Sequence, residues 1–152
     1  MKRLLMIAML AACGGDDGGS DEPIAEQNLT GLINGEAWDF AAGHTNAFLS
    51  EGEDTFFASL YADEFEACGF GEPDGPHLIL SIPKEPGERT LSLGLNMTFV
   101  LDNEDNDNLI GTRGKIRVDE VTDTTVTGAI RASFDSDNEV EGEFNVTICA
   151  DE

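Results

Sequence analysis

The feature that most constrains the fold of this chain is an alternation of apolar and polar residues with a period of two. The clearest run covers residues 91–101 and carries six alternating apolar side chains: Leu91, Leu93, Leu95, Met97, Phe99 and Leu101. Because successive side chains of a strand point to opposite faces, this period predicts a strand with one face in a core. We expect a run of this length to bend or break near Gly94.

A hairpin signal joins two further runs of this kind. Asn34-Gly35 separates 29–33 from 36–40, and both turn residues tolerate the positive φ of a type I′ turn. The pattern therefore predicts a short hairpin. Trp38 is the only tryptophan of the chain. We expect it to pack in the core, with a sugar-stacking platform as the alternative role.

The middle of the chain predicts more strands. Residues 55–62 also have apolar side chains at helical spacing, but we predict a strand there and a turn before Cys68. Further strands are predicted over 78–82 and 114–118, and 83–88 is expected to be a turn.

The last third contains the plainest hairpin, with its turn at 135–138. Gly128 and Gly142 lie within its strands, where glycine indicates a closely approaching neighbour or a bulge. The residues predicted to face inward are Val126, Ile130, Ala132, Phe134, Val140, Phe144, Val146 and Ile148. About eight or nine short strands without a convincing helix predict an all-β domain, an antiparallel β-sandwich, with a small closed β-barrel as the alternative.

The N-terminus carries the ordered parts of an export signal. Lys2 and Arg3 precede an apolar run over 4–12, which is long enough for a signal peptide and too short to span a bilayer as a helix. Leu10-Ala11-Ala12-Cys13 then resembles the lipobox of bacterial lipoproteins. This resemblance implies cleavage before Cys13 and attachment of a diacylglycerol to that cysteine, which anchors the protein to a membrane.

The chain is predicted to divide into three parts. Residues 1–12 form the signal peptide, 13–26 a lipidated, flexible acidic tether, and 27–152 a single β domain. Gly14 and Gly15 stand where the best-known lipoproteins carry an aspartate that retains them in the inner membrane. The resemblance therefore implies a cell-envelope protein at the outer membrane, on either its periplasmic or its surface side.

The chain is strongly acidic, with 31 Asp and Glu residues against 8 Lys and Arg residues. Loss of Lys2 and Arg3 with the signal leaves a mature charge of −25. This charge argues against a nucleic-acid partner and against a polybasic contact with anionic lipid. Solubility, a salty habitat and calcium capture are three interpretations of the acidity.

The cysteines are the next constraint. If Cys13 carries lipid, then Cys68 and Cys149 form an even pair in an oxidising compartment, where a disulfide is expected. The alternative is a thiol pair that binds metal. Neither His44 nor His77 lies at ligand spacing from a cysteine along the sequence, which argues against that alternative.

Several features of the mature region together resemble small all-β bacterial lipoproteins for which no activity is established. They are the opening GLINGEAW at 31–38, a mid-chain cysteine after a strand, Ile-Pro-x-x-Pro-Gly at 82–87, and Val-x-Gly-x-Phe-x-Val-x-x-Cys at 140–149. The resemblance implies an all-β fold and a Cys68–Cys149 bridge. It implies no activity.

The best candidate for a ligand site is the acidic run at 102–108. Calcium binds closely spaced carboxylate and amide oxygens. The run is not an EF-hand loop, because its sixth position lacks the required glycine. A solvated hairpin tip is the alternative interpretation. The candidate calcium ligands are Asp102, Glu104, Asp105, Asn106 and Asp107.

Motifs for enzymatic chemistry are missing from the sequence, which has neither a Gly-x-Ser-x-Gly elbow nor a phosphate-binding glycine loop. With 31 acidic residues, some carboxylate pair always looks suitable for a glycosidase, so no pair stands out. We therefore expect a non-enzymatic envelope domain with a binding or structural role and a protein or glycan partner. The alternative is a calcium-dependent or carbohydrate-binding module, and calcium is the only cofactor that the sequence suggests.

Overall fold

The computed structural model of this chain describes residues 22–105 and 107–150. The described part is all-β, as predicted, with eleven strands and one short helix. In chain order these are β1 (Thr30–Ile33), β2 (Glu36–Asp39), β3 (Ala42–Asn46), α1 (Ala47–Ser50), β4 (Thr55–Tyr61), β5 (His77–Pro83), β6 (Gly87–Thr90), β7 (Met97–Val100), β8 (Asn108–Gly111), β9 (Arg113–Val121), β10 (Thr125–Asp135) and β11 (Asn138–Thr147).

The strands form one strongly curled sheet. Its continuous path is β6-β9-β10-β11-β3-β4-β5-β7-β8, and the β1–β2 hairpin is attached to it through β11. The named strands pair antiparallel except at the centre, where β11 and β3 run parallel and meet at Thr147 and His44. The sheet is therefore mixed rather than purely antiparallel as expected. Its curl is compatible with a sandwich or with a half-barrel.

The core is built from the inward-facing residues of both halves of the sheet. Trp38 is 4% exposed and belongs to this core, which confirms its predicted packing role. The Asn34-Gly35 turn has φ angles of 54° and 74°, as a type I′ turn requires. The largest fully buried side chains include Phe99, Leu29, Ile33, Leu60, Leu78, Leu80 and Ile82.

The predicted long strand over 91–101 is broken as expected near Gly94. Ser92 and Leu95 form a pair of backbone hydrogen bonds, with N···O distances of 2.8 and 3.2 Å. The chain therefore reverses at this point, and Leu93 is left 85% exposed at the tip of the turn. Only β7 remains of the predicted strand.

Four elements were not predicted: β3, β6, β8 and α1. Each has only four or five residues and no strong apolar alternation. The three strands form because neighbouring strands supply their backbone hydrogen bonds. For example, β6 begins within the 83–88 region expected to be a turn and pairs with β9. The predicted inward position of Phe134 is wrong. A register shift between Ser133 and Asp135 turns its side chain outward, and it is 41% exposed.

The packed domain begins before the predicted boundary at residue 27. Ile24 is 3% exposed, and the Ala25 N–H donates to Glu141 Oε1 at 2.8 Å. The predicted signal peptide and Cys13 lie outside the described residues, so their assignment stays a prediction. In the described ranges, no helix has the length and apolar character needed to cross a membrane.

Candidate binding cleft

A cleft of about 900 Å³ lies on the outer face of β9, β10 and β11. Along β11 the residues alternate between buried and exposed, so Glu143, Asn145 and Thr147 point out of the core and into this space. Thr125 and Thr127 of β10 do the same. The opposite wall is formed by residues 40–43 at the start of β3 and by part of the 62–76 loop that joins β4 to β5.

The lining combines aromatic surface with oxygen-rich side chains. Half-buried Phe40 and Phe65 stand on the side of β3 and the loop, and buried Phe144 closes the floor. The carboxylates come from three different elements and are those of Glu64, Asp119 and Glu143. Among the described lining residues there is no Lys, Arg, His, Cys or Ser.

One of the three carboxylates is already engaged. Arg117 donates from Nε to Asp119 Oδ1 at 2.6 Å and from Nη2 to Oδ2 at 3.2 Å. This hydrogen bonding raises the pKa of Arg117 above its ordinary value, and the nearby charges of Asp119, Glu143 and Glu26 act in the same direction. The positive charge of Arg117 therefore offsets the negative charge of Asp119, and the excess negative charge of the cleft comes from Glu64 and Glu143.

The 62–76 loop is fastened beside the cleft by a disulfide between Cys68 and Cys149. Their Cα atoms lie 5.4 Å apart, and the bridge joins residues separated by 81 positions in the sequence. The predicted pairing of these cysteines is therefore present in the structure. Beside the bridge, the Cys149 N–H donates to Thr45 Oγ1 at 2.9 Å, which holds the chain after β11 against β3.

His44 of β3 is the buried support under this loop. The Cys68 N–H donates to its Nδ1 at 3.0 Å, and its Nε2 lies 2.7 Å from Glu72 Oε1. The ring of Phe65 meets the His44 ring edge-on, with centroids 5.0 Å apart. His44 is 8% exposed, so the strand and the loop enclose it almost fully.

Tyr61, at the end of β4, packs in the same aromatic cluster as His44 and Phe65. Its ring meets Phe65 edge-on at 5.1 Å and stacks on His77 at 5.0 Å. Burial, and then the negative charge of Glu72, raise the pKa of Tyr61 to about 12. The phenol therefore stays protonated at physiological pH and acts as a packing group, and His77 lies at an edge of the cluster.

The acidic run at 102–108 forms the connection between β7 and β8, away from the cleft. Asn103 Nδ2 donates to Asp107 Oδ2 and the Asp107 N–H donates to Asn103 Oδ1, both at 3.0 Å. These bonds close the loop on itself. Asp102 has a φ of 49° at the start of the loop. Asn106 lies outside the described residues, and calcium binding by this run stays a prediction.

Sequence reasoning missed both the cleft and the position of His44. His44 is 24 residues from Cys68 and 105 from Cys149, so no local spacing reveals that β3, the loop and the end of β11 meet. The alternating polar residues of β11 were the only available signal for the cleft, because they showed which side chains point outward. Comparison of the chain with family models, with curated proteins and with solved structures gives no match.

Proposed function

We propose that this protein is a lipid-anchored, non-enzymatic domain of the bacterial cell envelope that binds a ligand in the cleft beside β11. The observation that carries the proposal is the combination of half-buried aromatic rings with outward carboxylates, amides and hydroxyls in one concave surface. Ligand sites are typically concave and combine apolar walls with a few polar groups that orient the ligand. The described lining residues include no Ser, Cys, Lys or His side chain, so the only groups there that could act as nucleophiles are threonine hydroxyls and carboxylates, and no general-base histidine accompanies them; this favours binding over catalysis.

The chemistry of the lining favours a neutral, hydroxyl-rich ligand such as an envelope glycan. Glu143 and Asn145 offer oxygen acceptors, and Thr125 and Thr127 add hydroxyl groups. The exposed parts of the Phe40 and Phe65 rings can pack against the apolar face of a sugar. An anionic ligand is disfavoured, because no basic side chain is among the described lining residues.

The binding proposal is tested by titrating the full-length protein with oligosaccharides of the bacterial envelope, followed by calorimetry and by NMR shifts of the cleft residues. Phe65→Ala and Glu143→Gln should each weaken binding at least about tenfold, the effect of losing about 1.4 kcal/mol. Glu139→Gln is the matched control, because it makes the same charge change on β11 outside this cleft.

Two outcomes would contradict the binding proposal. Equal loss of affinity in Glu143→Gln and Glu139→Gln would place the ligand elsewhere. Release of reducing sugar from an oligosaccharide, abolished by Glu143→Gln, would show that the cleft is catalytic.

The membrane anchor is proposed from the sequence alone. The order of Lys2-Arg3, the apolar run at 4–12 and Cys13 supports export and lipidation. The polar, glycine-rich residues that follow support a flexible tether, and Gly14 and Gly15 in place of a retention aspartate support the outer membrane. Cys13→Ala should abolish incorporation of labelled fatty acid and move the protein from the membrane fraction to the soluble fraction. Asp17→Asn, in the tether, should change neither result. Continued membrane attachment of Cys13→Ala would overturn the anchor.

A further inference from the structure

A second constellation lies outside the cleft lining and has no part in the proposed function. Within the described residues, one group of three metal-ligand side chains has its ligand atoms within 4.8 Å of one another, namely His44, Cys68 and Cys149. In the present structure the two sulfur atoms are joined by the disulfide. Cys68 is exposed, so a reductant can reach the bridge, whereas His44 is buried beneath it.

The hydrogen bonds of His44 set its tautomer. Because the Cys68 N–H donates to Nδ1, that nitrogen carries the lone pair, and the proton must lie on Nε2, which donates to Glu72 Oε1. Metal-binding histidines are held in this way, with one ring nitrogen on the metal and the other N–H on a carboxylate. The carboxylate therefore holds the ring with its unprotonated nitrogen beside the two cysteines.

We propose that reduction of the Cys68–Cys149 disulfide creates a zinc site formed by the two thiolates and His44 Nδ1. A dithiol reductant supplies two electrons and two protons. The S–S bond of the protein breaks, each sulfur becomes a thiol, and the two thiols of the reductant become a disulfide. Zn²⁺ then displaces the two thiol protons, which pass to solvent. Oxidation by a disulfide reverses the step and releases the metal.

The distances fit this chemistry. Zinc takes Cys sulfur at about 2.3 Å and His nitrogen at about 2.0–2.1 Å, so a tetrahedral site spaces its ligand atoms by roughly 3.5–3.8 Å. One ligand atom from each of the three residues already lies within 4.8 Å of the others, so two changes are needed: the two sulfurs move apart, and the Cys68 N–H gives up its hydrogen bond to His44 Nδ1 so that the lone pair can bind zinc. Three protein ligands leave the fourth coordination position of the metal to a water molecule. Zn²⁺ is the preferred ion because thiolate and imidazole are its usual ligands.

The test is metal titration of the full chain under a phosphine reductant that binds metal weakly. Zinc binding is followed by competition with a chromophoric chelator, and Co²⁺ is used as a spectroscopic probe. The reduced protein should bind one ion per chain and give thiolate-to-cobalt charge-transfer absorption. The oxidised protein should give neither signal. Cys13→Ser should behave like wild type, because the third cysteine takes no part.

Single variants separate the proposed ligands from their surroundings. Cys149→Ser should abolish the charge-transfer band or reduce it to that of one thiolate. Glu72→Gln, which removes the carboxylate that orients His44, should lower zinc affinity by about 10–100-fold. His44→Gln should lower zinc affinity at least as much as Glu72→Gln. His77→Gln is the matched control, because the second histidine is not in the group, and it should bind as wild type does.

The zinc site can still be tested if reduction unfolds the protein. If the reduced chain loses its β circular dichroism, Zn²⁺ should restore it in wild type and His77→Gln but not in His44→Gln. Reduced wild type that shows neither cobalt absorption nor zinc-dependent refolding overturns the site. Equal zinc binding by His44→Gln and wild type overturns the assignment of the imidazole.

Discussion

At Gly128 on β10, a neighbouring strand comes closer than any side chain permits. A Cβ atom there would lie 2.1 Å from the carbonyl oxygen of Arg117 and 2.9 Å from Phe144 Cζ. We expect Gly128→Ala to lower the free energy of unfolding by about 1–3 kcal/mol, because backbone and ring must shift to make room. Urea denaturation measures the change.

Gly94→Ala is the matched control for this prediction. Nothing lies within 4 Å of a Cβ built at Gly94, which occupies an open turn. We expect this substitution to leave stability unchanged or to raise it by about 0.4–1 kcal/mol, because alanine restricts the unfolded chain. Equal losses at Gly128 and Gly94 would show that close approach is not the cause.

Glu141 fastens the segment before β1 onto the sheet. Its Oε1 accepts hydrogen bonds from Arg131 Nη2 at 2.6 Å and from the Ala25 N–H at 2.8 Å. Burial raises the pKa of Glu141, but these hydrogen bonds and the charge of Arg131 outweigh burial, so the pKa lies below its ordinary value of 4.5. The ionised carboxylate is therefore favoured by folding.

This shift gives the pH dependence a definite sign. Because the folded pKa lies below the unfolded one, the contribution of Glu141 to stability is complete above about pH 4.5 and is lost as the pH falls through the folded value. We expect Glu141→Gln to lower the free energy of unfolding by about 1–2 kcal/mol at neutral pH, and by less as the pH falls below 4.5. Urea denaturation across this range measures both.

Glu139→Gln provides the control on the same strand, because this glutamate is exposed and has no resolved ion pair in the described residues. Its effect should be smaller and nearly independent of pH. A stability difference for Glu141→Gln that stays constant from neutral to acid pH would contradict the assigned role of the charge.

At the scale of elements, the 62–76 loop depends on the disulfide. We expect the double variant Cys68→Ser/Cys149→Ser to lower the free energy of unfolding by up to about 4–5 kcal/mol, because the bridge closes a loop of about eighty residues in the unfolded chain. The loop should also become a site of limited proteolysis, with cleavage inside 62–76 identified by mass spectrometry.

Glu72→Gln separates the bridge from the other contact that fastens this loop. The variant removes only the charge of the Glu72 carboxylate, which lies next to His44 and is about half-exposed. We expect a stability loss well below that of the double cysteine variant and no new cleavage in the loop. Equal proteolysis of both variants would mean that the His44–Glu72 contact, and not the disulfide, holds the loop.

At the scale of the whole molecule, the chain carries a net charge of −23, which opposes compaction. The Debye length shortens from about 30 Å at 0.01 M salt to about 8 Å at 0.15 M. We therefore expect the melting temperature to rise over this range of NaCl, as screening relieves repulsion between carboxylates. A melting temperature that is flat or falls would contradict net repulsion.

Calcium binding by the 102–108 loop predicts a different signature. At constant ionic strength, CaCl₂ should raise the melting temperature and release heat on titration, whereas MgCl₂ should not. Asp107→Asn should remove the calcium effect, and Asp123→Asn, an equal charge change at another exposed turn, should leave it intact. No calorimetric heat and no melting shift in wild type would rule out the calcium hypothesis.

Much of this architecture follows from the sequence by itself. Period-two alternation predicts β5, β9, β10 and β11, because a strand that buries one face must alternate. The Asn-Gly turn predicts the β1–β2 hairpin, because its positive φ angles need residues that tolerate them. Cysteine counting predicts the disulfide, since assigning Cys13 to lipid leaves a single pair.

Only the tertiary structure decided which distant segments meet. The parallel junction of β3 and β11, the cleft beside it and the position of His44 under the disulfide arise from contacts between residues far apart in sequence. No local sequence pattern predicts these contacts, because the partners of a short strand depend on how the rest of the sheet folds around it. For the same reason β3, β6 and β8, whose own alternation is weak, become strands only through the neighbours that pair with them.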